Sequence, residues 1–197
     1  MIYNFEYELK IMLSQPEFEN LLSFTGCDSF KQVNYYFDTP NFEMYYNRVV
    51  IRIREKDNKY ELTVKTKMPG DSASGVIPMN ESNMVIDRET AKMLLDGKEN
   101  LSEYLPFNEV YDGKILFYVG KITTIRKKIR INDDLPMAEL DKSLYDDTAD
   151  YELEWEISEE KYNQAVESLN EIGITLDDRR KGLSKYGRLV DSLKEDK

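Results

Sequence analysis

The feature that most constrains this chain is a recurring period-two alternation in which one parity is apolar and the other is charged with one dominant sign. Val49 to Glu55 sets Arg52 and Arg54 against Ile51 and Ile53. Tyr60 to Lys67 sets Thr63, Lys65 and Lys67 against Leu62 and Val64. Ile125 to Ile131 groups Arg126, Lys128 and Arg130, Met137 to Asp141 groups Glu139 and Asp141, and Tyr151 to Ile157 groups Glu152, Glu154 and Glu156. Glu6 to Ile11 opens the series. Period two is the signature of a β-strand with distinct faces. Val33 to Asp38, Val76 to Met84 and Ile115 to Thr123 are further strand candidates.

Turn chemistry divides the runs. Asp57-Asn58 reads as a hairpin tip, Asp133-Asp134 as another, and Met68 to Asp71 opens a longer loop. Consecutive hairpins imply an antiparallel meander. Helical patterns fill Gln15 to Phe24 after a Ser14 N-cap, Asp87 to Leu95, Glu159 to Ile172 after a Ser158 N-cap, and Leu183 to Leu193. Asp96 to Phe107 is open between helix and loop. No Pro- or Gly-rich linker divides the 197 residues, so a single domain over 1–197 is expected.

An ordinary half-buried sheet solvates its charged face. Here the segregation of sign by strand favours a different arrangement, a sheet closed into a barrel with apolar faces outward beneath helices and charged faces converging on a channel. Charge inside a protein must be paired or metal-bound. The cationic strands would grip phosphate oxygens, and the carboxylate strands would hold a divalent ion.

Composition narrows the partner. A net charge of −11 disfavours nucleic acid and anionic membrane surfaces. The chain has no His, so any metal must sit on oxygen ligands, which suits Mg2+, Mn2+ or Ca2+. A lone cysteine, Cys27, is expected to be a small buried residue, and the cytoplasm is the expected compartment. The assembly state is left open, with a homodimer among the options.

With these residues in view, the chain resembles the CYTH family, also called triphosphate tunnel metalloenzymes. The resemblance rests on Glu6-x-Glu8-x-Lys10, Tyr36-Phe37-Asp38-Thr39-Pro40, Ile51-Arg52-Ile53-Arg54 and Leu62-Thr63-Val64-Lys65. It continues in Thr123 to Lys127, Leu140-Asp141-Lys142, Asp150 to Glu154 and Ser184-Lys185-Tyr186. It implies an α+β fold, a closed eight-stranded antiparallel β-barrel with helices outside, divalent-metal dependence on Mg2+ or Mn2+, and a small molecule bearing a triphosphate as substrate.

Carried over by resemblance, Glu6, Glu8, Lys10 and Arg54 are the catalytic candidates, and Lys10, Arg52, Arg54, Lys65, Arg126 and Lys185 the phosphate ligands. Glu6, Glu8, Glu81, Glu139, Asp141, Glu152 and Glu154 are the metal candidates. The strand carrying Met79, Asn80, Glu81, Ser82 and Asn83 departs from the family pattern by lacking a basic residue before the glutamate.

Other residues have plainer readings. Trp155 has core parity, Tyr35, Tyr36, Tyr45 and Tyr46 suit packing, and Asp38 is divided between starting a turn and joining the site. Glu156 is divided between a solvated strand end and a metal ligand. Lys67, Lys128 and Arg130 rank second as channel residues. The function expected is hydrolysis of inorganic triphosphate or a small organic triphosphate such as thiamine triphosphate. The alternatives are a class IV-type adenylate cyclase, whose associated histidine-containing signature is impossible here, and a non-catalytic polyphosphate- or nucleotide-binding module.

Overall fold

The computed structural model describes residues 7–67, 79–105, 110–145, 148–176 and 184–195. Among the described residues eight strands make one sheet: β1 (Tyr7–Leu13), β2 (Phe30–Asp38), β3 (Val49–Lys56), β4 (Lys59–Lys67), β5 (Met79–Ile86), β6 (Phe117–Ile129), β7 (Ala138–Tyr145) and β8 (Thr148–Ile157). Among the same residues α-helices accompany them: α1 (Gln15–Leu21), α2 (Glu43–Tyr46), α3 (Arg88–Leu95), α4 (Tyr162–Glu171) and α5 (Lys185–Glu195). The strand order is β1-β8-β7-β6-β2-β3-β4-β5, so β1 and β5 end the hydrogen-bonded ladder. Among the described residues no pairing joins those two ends. What stands is an antiparallel eight-stranded sheet with helices. No described helix is long and apolar enough to cross a membrane.

The chain clusters into two compact units, one built on Phe5–Lys31 and Thr124–Leu183, the other on Gln32–Thr123 and Ser184–Lys197. In the first, β8 lies between β1 and β7 and sends alternate residues to opposite faces. The apolar parity, with Leu9, Ile11, Leu140, Leu153 and Trp155, is buried against α1 and α4. Trp155 is fully buried, as its parity predicts, and its indole N–H donates to the Pro136 carbonyl at 2.8 Å. Each such large apolar side chain contributes about 1.5–3 kcal/mol of burial. Helix α1 starts where the sequence places it, because Ser14 and Glu17 form a reciprocal capping box.

The segment before β2 runs beside β6: the Cys27 amide donates to the Lys128 carbonyl at 3.0 Å and the Arg130 amide to the Thr25 carbonyl at 2.8 Å. Gly26 is required there, since a Cβ would collide with the Lys128 carbonyl. Cys27 itself is exposed, correcting the expectation of burial. Its backbone is anchored on β6, but its side chain belongs to neither apolar cluster.

In the second unit β3 is central. Phe37, Ile51, Ile53, Leu62, Val64 and Ile86 form the buried face, covered by Ala91 and Leu94 of α3. The β3–β4 hairpin turns where expected, with φ of 51° at Asp57 and 59° at Asn58, the left-handed pair of a tight hairpin. Asp87 caps α3, accepting the Thr90 amide at 2.8 Å, which holds its carboxyl below the usual range.

Element boundaries differ from expectation at several places, and α1, for one, ends at Leu21 and not at Phe24. Ile115 to Thr123 and Ile125 to Ile131 are one 13-residue strand, β6, because nothing between them breaks the ladder. Helix α4 begins after Lys161, preceded by a short 3-10 turn at Glu159–Lys161, and not at Ser158. Strand β5 runs on to Ile86, while residues 76–78 of that expected strand lie outside the described residues.

Candidate functional site

The polar face of the β8-centred unit is built by register. Glu154 lies opposite Lys10 on one side and Glu139 on the other; Glu152 lies opposite Met12 and Asp141. Two rows of side chains therefore meet across three strands, and β6 adds Arg126. Lys10 Nζ is 3.1 Å from Glu152 Oε2 and 3.4 Å from Glu154 Oε1. Arg126 gives a two-pronged hydrogen bond to Asp141, Nε to Oδ1 and Nη2 to Oδ2, both at 2.6 Å. It also donates to Glu154 Oε2 at 2.7 Å and to Glu139, whose other oxygen is 3.2 Å from Lys128 Nζ.

Asp141 and Glu152 are completely buried, and with Glu154 they each bring an oxygen within 4.8 Å of the others. Three carboxylates so close repel one another and would shed charge unless cations compensate. Arg126 does so: burial disfavours its charged form, but Asp141, Glu154 and Glu139 outweigh burial and raise its pKa. The donor set, oxygen only and tied to two cations, fits a hard divalent ion that would take the place of part of that positive charge. The neutral pair Thr124 and Ser143, hydroxyls 3.5 Å apart and both buried, extends the same face.

The polar face of the β3-centred unit follows the same logic with the opposite sign. Its register aligns Tyr36, Arg52, Thr63 and Asn83 in one row and Asn34, Arg54 and Glu61 in the next. Arg54 Nε donates to Asn34 Oδ1 at 2.9 Å. Lys65 lies opposite Glu81 and pairs with it, and Asn83 donates to Glu81 at 3.1 Å. Burial would raise the Glu81 carboxyl, but Lys65, Asn83 and Arg52 outweigh it and hold it below the usual range. Arg52 Nε and Thr63 Oγ1, directly opposite one another, are buried with no hydrogen-bond partner among the described residues. A buried donor left unmade costs about 1–3 kcal/mol, and an anionic oxygen would satisfy it.

The structure thus brings Lys10, Arg126, Glu139, Asp141, Glu152 and Glu154 together in one unit and sets Arg52, Arg54, Lys65 and Glu81 on one face of the other. Lys185 opens α5. Glu6 lies outside the described residues, and Glu8 lies opposite Glu156 in the β1–β8 register. Glu156 is exposed. Arg130 binds the Leu135 carbonyl at 3.2 Å and so staples a loop. Sequence reasoning did not single out Asn34, which carries no charge to mark it and shares only a row with Arg54, and it set Thr63 on the face of Lys65 without giving it a role. It left Asp38 undecided, and the structure buries it in a hydrogen-bond cluster that reaches Tyr186.

Comparisons with known proteins give the family. The model of the CYTH domain matches residues 4–182. A protein of Bacillus subtilis (strain 168) named "Putative triphosphatase YjbK" is 30% identical over 175 residues, covering 86% of each chain. A crystal structure from Bacillus halodurans, described as "a putative adenylate cyclase", is similar with a TM-score of 0.72 and 26% identity over 95% of this chain and 98% of that one. A Hippeastrum protein, "Putative adenylyl cyclase HpAC1", described as revealing a dominant triphosphatase activity, shares the fold with a TM-score of 0.72 at 24% identity, over 95% of this chain and 96% of that one. A carboxylate cluster held by Arg126 and Lys10, a row of arginines on β3, and a family match across nearly the whole length lead to one conclusion: this chain belongs to the CYTH domain family.

Proposed function

We propose that the chain is a divalent-metal-dependent triphosphatase, cleaving the terminal phosphoanhydride of inorganic triphosphate or of a small organic triphosphate such as thiamine triphosphate. The observation that carries this reading is the cluster of Asp141, Glu152 and Glu154 held by Arg126 and Lys10. The likeness to a protein named as a triphosphatase supports the same reaction.

Hydrolysis adds water to the terminal phosphorus and breaks its bond to the bridging oxygen, which leaves with the remaining diphosphate or nucleotide. Such a reaction asks the protein mainly to position the phosphates and neutralise developing charge. Arg52 offers a buried, unsatisfied Nε to a phosphate oxygen, and Arg54, fixed by Asn34, presents the rest of its guanidinium. Lys65 and Lys185 add point charges. Asp141, Glu152 and Glu154, with Glu139, Glu81, Glu6 and Glu8 as further candidates, would hold Mg2+ or Mn2+. A bound ion of this kind supplies charge neutralisation and a more acidic water. In this scheme Lys10 and Arg126, which pair with these carboxylates, would also offer positive charge to phosphate oxygens.

Closure of the sheet into an eight-stranded barrel, residues 1–197 acting as one domain, and a cytoplasmic setting without nucleic-acid partners belong to this proposal and are supported by family membership and net charge. The likeness to a structure described as an adenylate cyclase favours a second reading, cyclisation of ATP. Phosphate release from inorganic triphosphate, thiamine triphosphate and ATP, with Mg2+ and with Mn2+, tests the first. Turnover of none of them overturns it.

A further inference from the structure

Asp38 closes β2 on the same parity as Tyr36 and Asn34 and is fully buried. Its carboxylate is saturated by four donors. Oδ1 accepts the amides of Thr39 at 2.7 Å and Met44 at 2.8 Å; Oδ2 accepts the Tyr45 amide at 3.0 Å and the Tyr186 hydroxyl at 2.6 Å. The three amides wind residues 39–45 into the turn that becomes α2. The fourth donor comes from α5 and ties a distant part of the chain to the end of β2.

The Tyr186 ring adds a second restraint. It stacks on Tyr36 at 4.7 Å with 10° between planes and meets Tyr45 edge-on at 5.9 Å. Tyr36 lies opposite Arg52 in the β2–β3 register, so the first turn of α5 is seated on the row that contains Arg52. Ser184 caps that turn, accepting the Gly187 amide at 3.1 Å. Leu189, a turn further on, comes so close to Gly120 that a Cβ there would lie 3.2 Å from it. Near the end of α5, Lys194 sits over the rings of Phe42, Tyr45 and Tyr46 at 6.0, 5.4 and 5.1 Å. The helix is thus tied along its length to the segment that Asp38 organises and to β6, and a rigid first turn fixes the backbone of Lys185.

We propose that Tyr186, anchored by Asp38 and stacked on Tyr36, is a positioning residue that sets Lys185 beside Arg52 to engage a phosphate of the substrate. The proposal rests on the triphosphatase reading and adds to it a specific device. Burial and the Asp38 carboxylate raise the Tyr186 phenol far above its ordinary range, so the hydroxyl stays a donor at every working pH. The positive charge that meets substrate is that of Lys185; the phenol acts only through it.

The test is a double-mutant cycle of wild type, Tyr186→Phe, Lys185→Ala and the double variant, each measured for KM and kcat with inorganic triphosphate and for Kd by calorimetry, alongside melting. Tyr186→Phe keeps the stacked ring and removes only the bond to Asp38. Lys185→Ala is expected to raise KM and Kd roughly tenfold, as loss of one charge-assisted contact does. Tyr186→Phe should raise both several-fold, with kcat within about twofold of wild type. The double variant should bind no worse than Lys185→Ala, while the melting loss due to Tyr186→Phe persists in both backgrounds. Additive effects on Kd, or either single variant binding as wild type, would overturn the positioning role. A coupled Kd cycle without phosphate release from any of the four would overturn the hydrolase reading and leave the positioning role standing. Absence of binding by the wild type would overturn both.

Discussion

Arg126 and Asp141 are joined by two parallel hydrogen bonds of 2.6 Å each, and the same guanidinium also reaches Glu154 and Glu139. The carboxylate is completely buried and the guanidinium nearly so. Arg126→Ala would leave Glu139, Asp141 and Glu154 without their shared cation. Removing one member of a buried pair costs about 3–5 kcal/mol. The variant is expected to melt well below wild type without metal, and Mg2+ or Mn2+ should restore more of its melting temperature than it adds to wild type. Equal shifts for both proteins would separate Arg126 from the carboxylates proposed to hold metal.

Glu152→Gln and Glu154→Gln keep side-chain shape and remove one negative charge each. Folding should be retained, and in the absence of metal stability should hold or rise, because carboxylate repulsion is relieved. Metal-dependent turnover should fall by orders of magnitude. Wild-type activity across a full metal titration would remove the substituted carboxylate from the mechanism.

Tyr35 and Tyr60 both donate to Glu55, at 2.9 and 3.0 Å. Burial, then the hydrogen bond and charge of Glu55, push the Tyr35 phenol up to about 12 from an ordinary 10.0. The folded state therefore holds this proton more tightly than the unfolded one, so the contribution is complete below 10.0 and is lost as pH rises toward about 12. Tyr35→Phe should cost about 1 kcal/mol at neutral pH. Its stability should also fall less steeply in that alkaline range, as read by urea unfolding at pH 8 and at two points above pH 10. Parallel pH profiles would show that the bond to Glu55 does not persist in solution.

Much of this was legible beforehand because period two ties side-chain parity to one face of a sheet. The Arg52 and Arg54 row, the Glu152 and Glu154 row and the burial of Trp155 follow from strand alternation alone. Pairing was not legible. Nothing in the sequence says that Lys10 meets Glu152 as well as Glu154, or that Arg126 sits among carboxylates, because those contacts depend on register between strands, for Lys10 and Glu154 across 144 residues. Asp38 and Cys27 show the same limit at smaller scale. Whether a lone carboxylate or thiol is enclosed depends on which distant segment arrives to cover it: Tyr186 covers Asp38, and Cys27 remains exposed.

Arg52, Arg54 and Lys65 share one face of the β3-centred unit, with Arg52 Nε buried and unsatisfied among the described residues. A ligand with several anionic groups should engage more of these than a ligand with one. Inorganic triphosphate is expected to raise the melting temperature more than diphosphate, and diphosphate more than orthophosphate, by ligand linkage. Arg52→Ala should flatten the series. Equal shifts for the three ligands with the wild type would argue against a site shaped for a linear chain.

The most direct test of the central claim is chromatography of the products formed from ATP and from inorganic triphosphate in the presence of Mg2+ or Mn2+. Arg52, Arg54, Lys65 and Lys185 of one unit suit phosphate, and so do Lys10 and Arg126 of the other. Orthophosphate with diphosphate from inorganic triphosphate, and more slowly orthophosphate with ADP from ATP, is the expected result. Cyclic AMP with diphosphate as the main products of ATP, and no cleavage of inorganic triphosphate, would contradict it.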